Sequence, residues 1–347
     1  MALRLAWDVL SLRTAHPFAI ARGTQTEYQR VWVRLTDADG DGEGGGCEGW
    51  GEADPSAYYG ETADTVVAAL RRLEPALPAD PFDLEGAEAA VARALGEGDH
   101  ASARTAVSAA LHDLVGKRLG VPLWKLWGLD PARAPLSSFT IGLAEPELLR
   151  AKVREAASYP ILKIKVGTPD DERVLRTVRD VTDKPLRVDA NAGWSSKQAI
   201  ARLPLLEEMG VELVEQPVAP GDLAGLAAVH RASRIPVFAD ESCRVAADIP
   251  ALAGAVDGIN IKLAKCGSLR EALRMIAVAR AHHLRVMIGC MVESSLGITA
   301  AAHLTPLLDF VDLDGAALLA DDPFAGASIA GGRVSLPTAP GLGVTRT

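Results

Sequence analysis

The chain has 347 residues, 48% of them hydrophobic, which is enough for a barrel-sized domain and a smaller companion. A formal net charge of −9 without a basic cluster excludes a nucleic-acid or anionic-membrane surface, and no apolar run approaches the ~18 residues of a membrane span. Cys47, Cys243, Cys266 and Cys290 lie far apart with no Cys-x-x-Cys pair, and the N-terminus lacks the unbroken apolar core of a leader, so a reduced cytoplasmic setting is expected.

In chain order, the residue pattern predicts strands over Leu3–Leu12, Tyr28–Leu35 and Gly49–Glu52. Helices follow over 62–77, 85–96 and 101–118, the last with Val107, Ala110, Leu111 and Leu114 at helical spacing. Residues 15–30 and 50–62 read as loops. Between two of the strands, Asp37-Ala38-Asp39-Gly40-Asp41-Gly42 with Glu48 matches a calcium-loop pattern, and Gly40, Gly42 and Gly45 imitate a dinucleotide signature. Strand-like flanks favour a plain hairpin loop, with weak calcium binding as the alternative. From residue 138 onward, eight strand candidates alternate with helices: Ser138–Gly142, Ile161–Val166, Leu186–Ala190, Val211–Glu215, Ile235–Asp240, Gly258–Leu263, Arg285–Cys290 and Phe310–Asp314. Residues 325–347, rich in Gly and Pro, hold one strand-like piece at 333–336 and are expected to return to the N-terminal unit.

A ladder of ionisable residues runs through the second half. Lys163 and Lys165, Asp189, Glu215, Asp240 and Lys262 each close a short apolar, β-branched run, and positions 165, 189, 215, 240 and 262 are separated by 24, 26, 25 and 22 residues. That interval is the length of a strand, a helix and two loops. An ionisable group at the carboxyl end of successive strands is what a (β/α) barrel active site requires.

Alternation along a strand points Lys163 and Lys165 the same way, into the barrel. Buried ammonium groups need anions, and three adjacent carboxylates need a cation. Oxygen-only ligands from three strand ends, with no histidine at a strand end, favour Mg²⁺ over Zn²⁺. Neighbouring cations and burial are expected to lower the lysine pKa values. Lys165 and Lys262 come from strands on opposite sides of an eight-membered ring. They could exchange the α-proton of a carboxylate substrate from two faces, with the metal stabilising the enediolate.

The motifs Lys163-x-Lys165, Asp189-x-Asn191, Glu215-Gln216-Pro217, Asp240-Glu241-Ser242 and Lys262-Leu263-Ala264-Lys265, in this order, resemble the muconate-lactonizing-enzyme subgroup of the enolase superfamily. Ala110 to Lys117 is similar to the helix leading into the barrel in that subgroup, and the likeness runs from about residue 15 to 336. It implies an α/β fold, a modified TIM barrel of (β/α)₇β type over 121–324, with an N-terminal α+β capping domain over 1–120 completed by 325–347. It further implies that Asp189, Glu215 and Asp240 hold one Mg²⁺ per subunit. Lys163 would then support the substrate carboxylate, and Lys165 and Lys262 would be the bases.

Two further features resemble dipeptide epimerases. Asp312-Leu313-Asp314 would cradle a substrate α-ammonium, and Arg22 in Phe18-Ala19-Ile20-Ala21-Arg22-Gly23-Thr24 would pair with an acidic second residue. Contacts from Thr140 and Cys290 are implied by the same resemblance. The expected activity is epimerisation of L-Ala-D/L-Glu in murein peptide metabolism. N-succinylamino acid racemisation, o-succinylbenzoate synthesis and cycloisomerisation are the alternatives within the subgroup. Subgroup barrels often assemble, so a homo-oligomer is a possible state. Lys265 reads as structural and facing away from Lys262, Asp321-Asp322-Pro323 as a turn, and Glu241 and Glu293 as hydrogen-bond partners of the lysines or ligands.

Overall fold

The first two strands are longer than their hydrophobic pattern predicts. In the computed structural model, which describes residues 3–37, 47–78, 80–96 and 100–347, β1 (Leu3–Ile20) and β2 (Gly23–Asp37) form one antiparallel hairpin. Pairing runs from Leu3 opposite Asp37 to Ile20 opposite Gly23, with a register shift between Arg13 and Phe18. Residues 15–30 are therefore the distal half of a hairpin and not a loop, and Ala21 and Arg22 form its turn. Most of these residues are exposed, so no two-residue hydrophobic period marks them. Backbone pairing holds them instead. The core of the calcium-loop pattern, 38–46, lies outside the described residues.

β3 (Glu48–Ala53) pairs with β2 and completes a three-stranded sheet. Three helices cover it. α1 (Ala63–Leu73) starts at a Thr62–Thr65 capping box and α2 (Leu84–Leu95) at the Asp83 side chain. α3 (Ala101–Leu119) is buried along almost its whole length. It lies directly on β3 because that strand offers glycine there. A β-carbon on Gly49 or Gly51 would sit 2.0 Å from the carbonyl oxygen of Ala110 or Ala106. Val31, Val33, Leu35, Leu70 and Leu114 form the centre of this core.

After the short α4 (Leu123–Leu126), eight parallel strands follow in sequential order: β4 (Phe139–Ile141), β5 (Leu162–Lys165), β6 (Leu186–Asp189), β7 (Val211–Glu215), β8 (Val237–Ala239), β9 (Gly258–Ile261), β10 (Arg285–Gly289) and β11 (Phe310–Asp312). Ser138 N donates to Val311 O at 3.1 Å and closes the ring between its first and last strands. The crossovers carry α5 (Pro146–Glu155), α6 (Asp171–Arg179), α7 (Ser196–Glu208), α8 (Leu223–Ala232), α9 (Ile249–Leu252), α10 (Leu263–Cys266), α11 (Leu269–Ala281) and α12 (Ser295–Ala302).

Strand parity sorts the side chains. Ile164, Val188, Val214, Ile259, Ile261, Ile288 and Val311 face the helices and form the larger core. The opposite parity faces the lumen. Leu213, Phe238 and Met287 pack there with Phe310, over which the Arg187 guanidinium stacks at 5.0 Å. This layer is the floor. Two residues further along each strand, the same parity brings the charged ladder to the rim.

Past the last barrel strand, β12 (Phe324–Ala325) pairs with β15 (Thr345–Arg346), and β13 (Ser328–Ala330) with β14 (Arg333–Ser335). This segment touches the N-terminal elements. Phe324 packs edge-on against Trp32 at 5.4 Å, and Leu342 N donates to Asp113 Oδ1 on α3 at 2.7 Å. A polar seam joins β2 and β3 to the loop after β10. Arg30 donates from Nε and Nη2 to Val292 O, and Ser294 N donates to Glu52 Oε1 at 2.9 Å. Among the described residues, no helix is long and apolar enough to cross a membrane.

Candidate active site

Three carboxylates meet at the carboxyl ends of adjacent strands. Asp189 ends β6, Glu215 ends β7 and Asp240 follows β8. All are buried, and each brings an oxygen within 4.8 Å of the other two. Burial, then the charges of Asp189 and Asp240, push the Glu215 carboxyl up to about 7. Its Oε2 makes no aligned hydrogen bond. A crowded, oxygen-only donor set with mutual repulsion and an under-used oxygen fits a hard dication such as Mg²⁺.

The lysines answer the same carboxylates. Lys163 Nζ lies 2.7 Å from Asp312 Oδ2, 2.8 Å from Glu215 Oε2 and 3.2 Å from Asp189 Oδ2. Lys165 Nζ donates to Asp189 Oδ2 at 2.7 Å, and Lys262 Nζ to Asp240 Oδ2 at 2.8 Å. The sequence led us to expect lowered lysine pKa values, and here the structure differs. Burial does oppose the charge on Lys163 and Lys262, but the facing carboxylates outweigh it and raise both. The reverse holds for Asp189 and Asp240. Burial opposes their charge, and the lysines overcome it and hold both well below the usual carboxylate range.

Lys265 corrects a second expectation. The strand stops at Ile261, and α10 turns Lys265 back beneath the rim. Its ammonium binds Asp240 Oδ1 and the carbonyl oxygens of Cys243 and Asn260. It is fully buried and orients a ladder carboxylate, where an extended strand would have aimed it away. Asn260 escaped the sequence reading altogether. It lies two residues before Lys262 on the inward face and donates to Glu215 Oε1 at 2.9 Å. That i, i+2 relation to a ladder lysine was the available signal. Gln216, held at a φ of 35°, accepts from the backbone N–H groups of Asp240 and Ser242 and ties the ends of β7 and β8 together.

A cavity of about 540 Å³ opens above this cluster, between the barrel rim and the hairpin of β1 and β2. Lys163, Lys165, Asp240 and Lys262 face it from the barrel. Thr140, Cys290, Asp312 and Asp314 line one wall. Asp312 is already committed to Lys163 and to Ser138 Oγ, which donates at 2.7 Å. Asp314 has fewer ties. Its Oδ2 accepts from Thr140 N, and burial followed by the charge of Asp312 pushes its carboxyl up to about 7. Cys290 is half-buried with its thiol donating to Asp312 O, and desolvation and the nearby acids raise that thiol well above the usual value, which disfavours the thiolate.

Arg22 reaches the cavity from the hairpin turn. Its Nη1 donates to Glu241 Oε1 at 2.8 Å and to Asn191 O at 2.9 Å, and its guanidinium lies 4.2 Å from the centre of the Tyr58 ring. Glu241 thus serves Arg22 and not a lysine, while Glu293 accepts from Met291 N. Asp322 stands apart from the cavity and accepts from Ser295 N and Phe324 N as a turn.

The chain resembles known proteins over nearly its whole length. Residues 7–128 match the model of the mandelate racemase / muconate lactonizing enzyme N-terminal domain, and residues 147–346 match that of the enolase C-terminal domain-like family. The chain is 41% identical to an L-Ala-D/L-Glu epimerase of Bacteroides thetaiotaomicron, covering 99% of this chain and 88% of that one. It is 40% identical to an L-Ala-D/L-amino acid epimerase of Maribacter sp., covering 99% of both. Its structure superposes with a TM-score of 0.92, at 32% identity, on a dipeptide epimerase of Enterococcus faecalis V583 complexed with Mg and L-Leu-L-Tyr, covering 99% of this chain and 100% of that one.

Proposed function

The chain belongs to the mandelate racemase/muconate lactonizing enzyme family of the enolase superfamily, and from that premise we propose that it is an Mg²⁺-dependent dipeptide epimerase, with L-Ala-D/L-Glu as preferred substrate. What supports the reading most is one cavity that opens over the carboxylate triad at Asp240 and is lined by two lysines from opposite sides of the barrel and a pair of buried aspartates. Asp189, Glu215 and Asp240 would hold the Mg²⁺. When bound, the ion fixes the substrate carboxylate and acidifies the adjacent α-proton.

Everything else is work for the chain's own side chains. Lys163 would steady the substrate carboxylate. Lys165 on β5 and Lys262 beyond β9 stand four strands apart in an eight-stranded ring, so they face the α-carbon from two sides. One removes the proton and the other returns a proton to the far face, which inverts the centre. Asp312 and Asp314, with Thr140 and the backbone near Cys290, would receive the dipeptide's ammonium. Two buried acids there oppose an N-acylated substrate, which brings no cation. Arg22 would take the acidic second side chain. The hairpin of β1 and β2 covers the mouth and limits water.

Substrate chemistry of this kind fits murein peptide metabolism, and four free cysteines fit a cytoplasmic setting. The test is incubation with L-Ala-L-Glu and Mg²⁺ in D₂O, followed by NMR. Loss of the Glu α-proton signal with growth of the L,D diastereomer is expected. Exchange with an N-succinyl amino acid but not with the dipeptide would overturn the substrate assignment.

A further inference from the structure

Arg22 is not free to move about the cavity mouth. It projects from a hairpin turn on the N-terminal unit, yet three elements hold it. Glu241 Oε1, at the end of β8, accepts from Nη1 at 2.8 Å. Asn191 O, after β6, accepts from the same nitrogen at 2.9 Å. The Tyr58 ring lies under the guanidinium at 4.2 Å. The turn that aims the Asn191 carbonyl holds Asn191 and Ala192 at φ of 44° and 63°, a conformation that side-chain-bearing residues adopt only when surroundings enforce it. Glu241 is itself enclosed, with a side chain 1% exposed.

These contacts use one end of the fork. Among the described residues, Nε and Nη2 of Arg22 have no hydrogen-bond partner, and the side chain is 34% exposed on the cavity. Nε and Nη2 form the edge that meets a carboxylate with two parallel hydrogen bonds. An unpinned arginine on a hairpin tip would have to be ordered by the substrate, and that ordering would subtract from binding.

We infer that Glu241 is a positioning residue for substrate selection: by fixing Arg22 through Nη1 it presents the Nε/Nη2 edge to an acidic second residue of the dipeptide. The inference rests on the proposed epimerase function. It has a counter-intuitive consequence. Glu241 is an anion close to where the substrate's anionic side chain would lie, so simple electrostatics says that removing it should favour acidic dipeptides. Pinning says the opposite.

The experiment compares kcat and KM for L-Ala-L-Glu and the uncharged, similarly long L-Ala-L-Met, using the Mg²⁺-loaded enzyme and its Glu241→Ala, Glu241→Gln, Arg22→Met and Arg22→Met/Glu241→Ala variants. Thermal melts with and without Mg²⁺ accompany each, so that damage to the fold or to the metal ligands is visible. Glu241→Ala is expected to lower the Glu-to-Met ratio of kcat/KM about ten-fold or more, through KM, because a hydrogen bond between charged groups is at stake. Glu241→Gln keeps an acceptor for Nη1 and should hold the ratio at or above that of the unmodified enzyme. In the Arg22→Met background, Glu241→Ala should not lower the ratio further. A raised ratio in Glu241→Ala, or an equal fall for both dipeptides, overturns the inference and leaves the epimerase reading standing. Failure of the unmodified enzyme to epimerise either dipeptide overturns both.

Discussion

Asp314 offers the sharpest check on ammonium recognition, because its carboxyl is pushed up to about 7 by burial and by Asp312. Thr140 and Lys163 pull the other way without prevailing. Ammonium binding needs the ionised form. The group is half ionised at about pH 7, and well below that the ionised fraction falls ten-fold per pH unit, or about 1.4 kcal/mol, so this one group should lower kcat/KM roughly 50-fold between pH 7 and pH 5. At the alkaline side, the dipeptide's own α-amino group loses its proton near ~8, and kcat/KM falls again. The expected profile for L-Ala-L-Glu from pH 5 to 9, followed by NMR at saturating Mg²⁺, is therefore a narrow bell. Asp314→Asn should lower its maximum by about 1.5–3 kcal/mol, roughly 10- to 150-fold, and should erase the acid limb. Persistence of the acid limb in Asp314→Asn would assign it elsewhere, Glu215 being the next group near 7, and would refute the reasoning about Asp314.

Three further outcomes are expected. Lys165→Ala and Lys262→Ala should each lower epimerisation by roughly 10³-fold with unchanged circular dichroism, and full activity in either would sink the two-base mechanism. Mg²⁺ at about a hundred times its dissociation constant should stabilise the chain by about 2.7 kcal/mol against urea, and Glu215→Gln should lose that increment, so an unchanged increment would remove Glu215 from the ligand set. Glu52 is fully buried against Ser294, and burial and Glu293 push it up from 4.5 to about 7. Its proton is retained in the folded chain until about pH 7 but is lost near 4.5 when unfolded. The stability it confers is thus full below 4.5 and is lost as pH rises through 7, to a total of about 3 kcal/mol. Glu52→Gln should accordingly gain stability over the unmodified chain at pH 8 and not at pH 4.5, as urea midpoints would reveal, and a pH-independent difference would contradict this.

The barrel was legible because its two constraints act locally. A buried parallel strand needs a β-branched run, and chemistry at its end needs a charged residue, so Leu186-Arg187-Val188-Asp189 and Val211 to Glu215 announce themselves. The outer half of the hairpin was not legible. Residues such as Gly23, Thr24 and Gln25 are exposed and follow no period, and only pairing with β1 makes them a strand. Lys265 was misdirected by the assumption that a strand continues past its last paired residue. Asp312 and Asp314 both line the cavity, yet their inequality was hidden in the sequence. Only the fold puts Lys163, 149 positions earlier, against Asp312 and leaves Asp314 to a backbone N–H.

The same fold explains how so much charge survives burial. Lys163, Lys165, Lys262 and Lys265 oppose Asp189, Glu215, Asp240 and Asp312, four against four, so no ion in the cluster lacks a counter-ion. Such balance has a direct bearing on base strength. Three of the four carboxylates that stabilise a lysine's proton, Asp189, Glu215 and Asp240, also form a donor set fit for a dication. A dication brings two positive charges and a substrate carboxylate takes one away, which leaves the cluster one positive charge in excess. Surrendering one lysine proton restores neutrality, so metal and substrate together favour the neutral amine that proton abstraction requires. Lys265 is the exception that the geometry marks out. Bound to Asp240 Oδ1 and to carbonyl oxygens on three sides, it keeps a partner under any loading, while Lys165 and Lys262 each hold a single carboxylate.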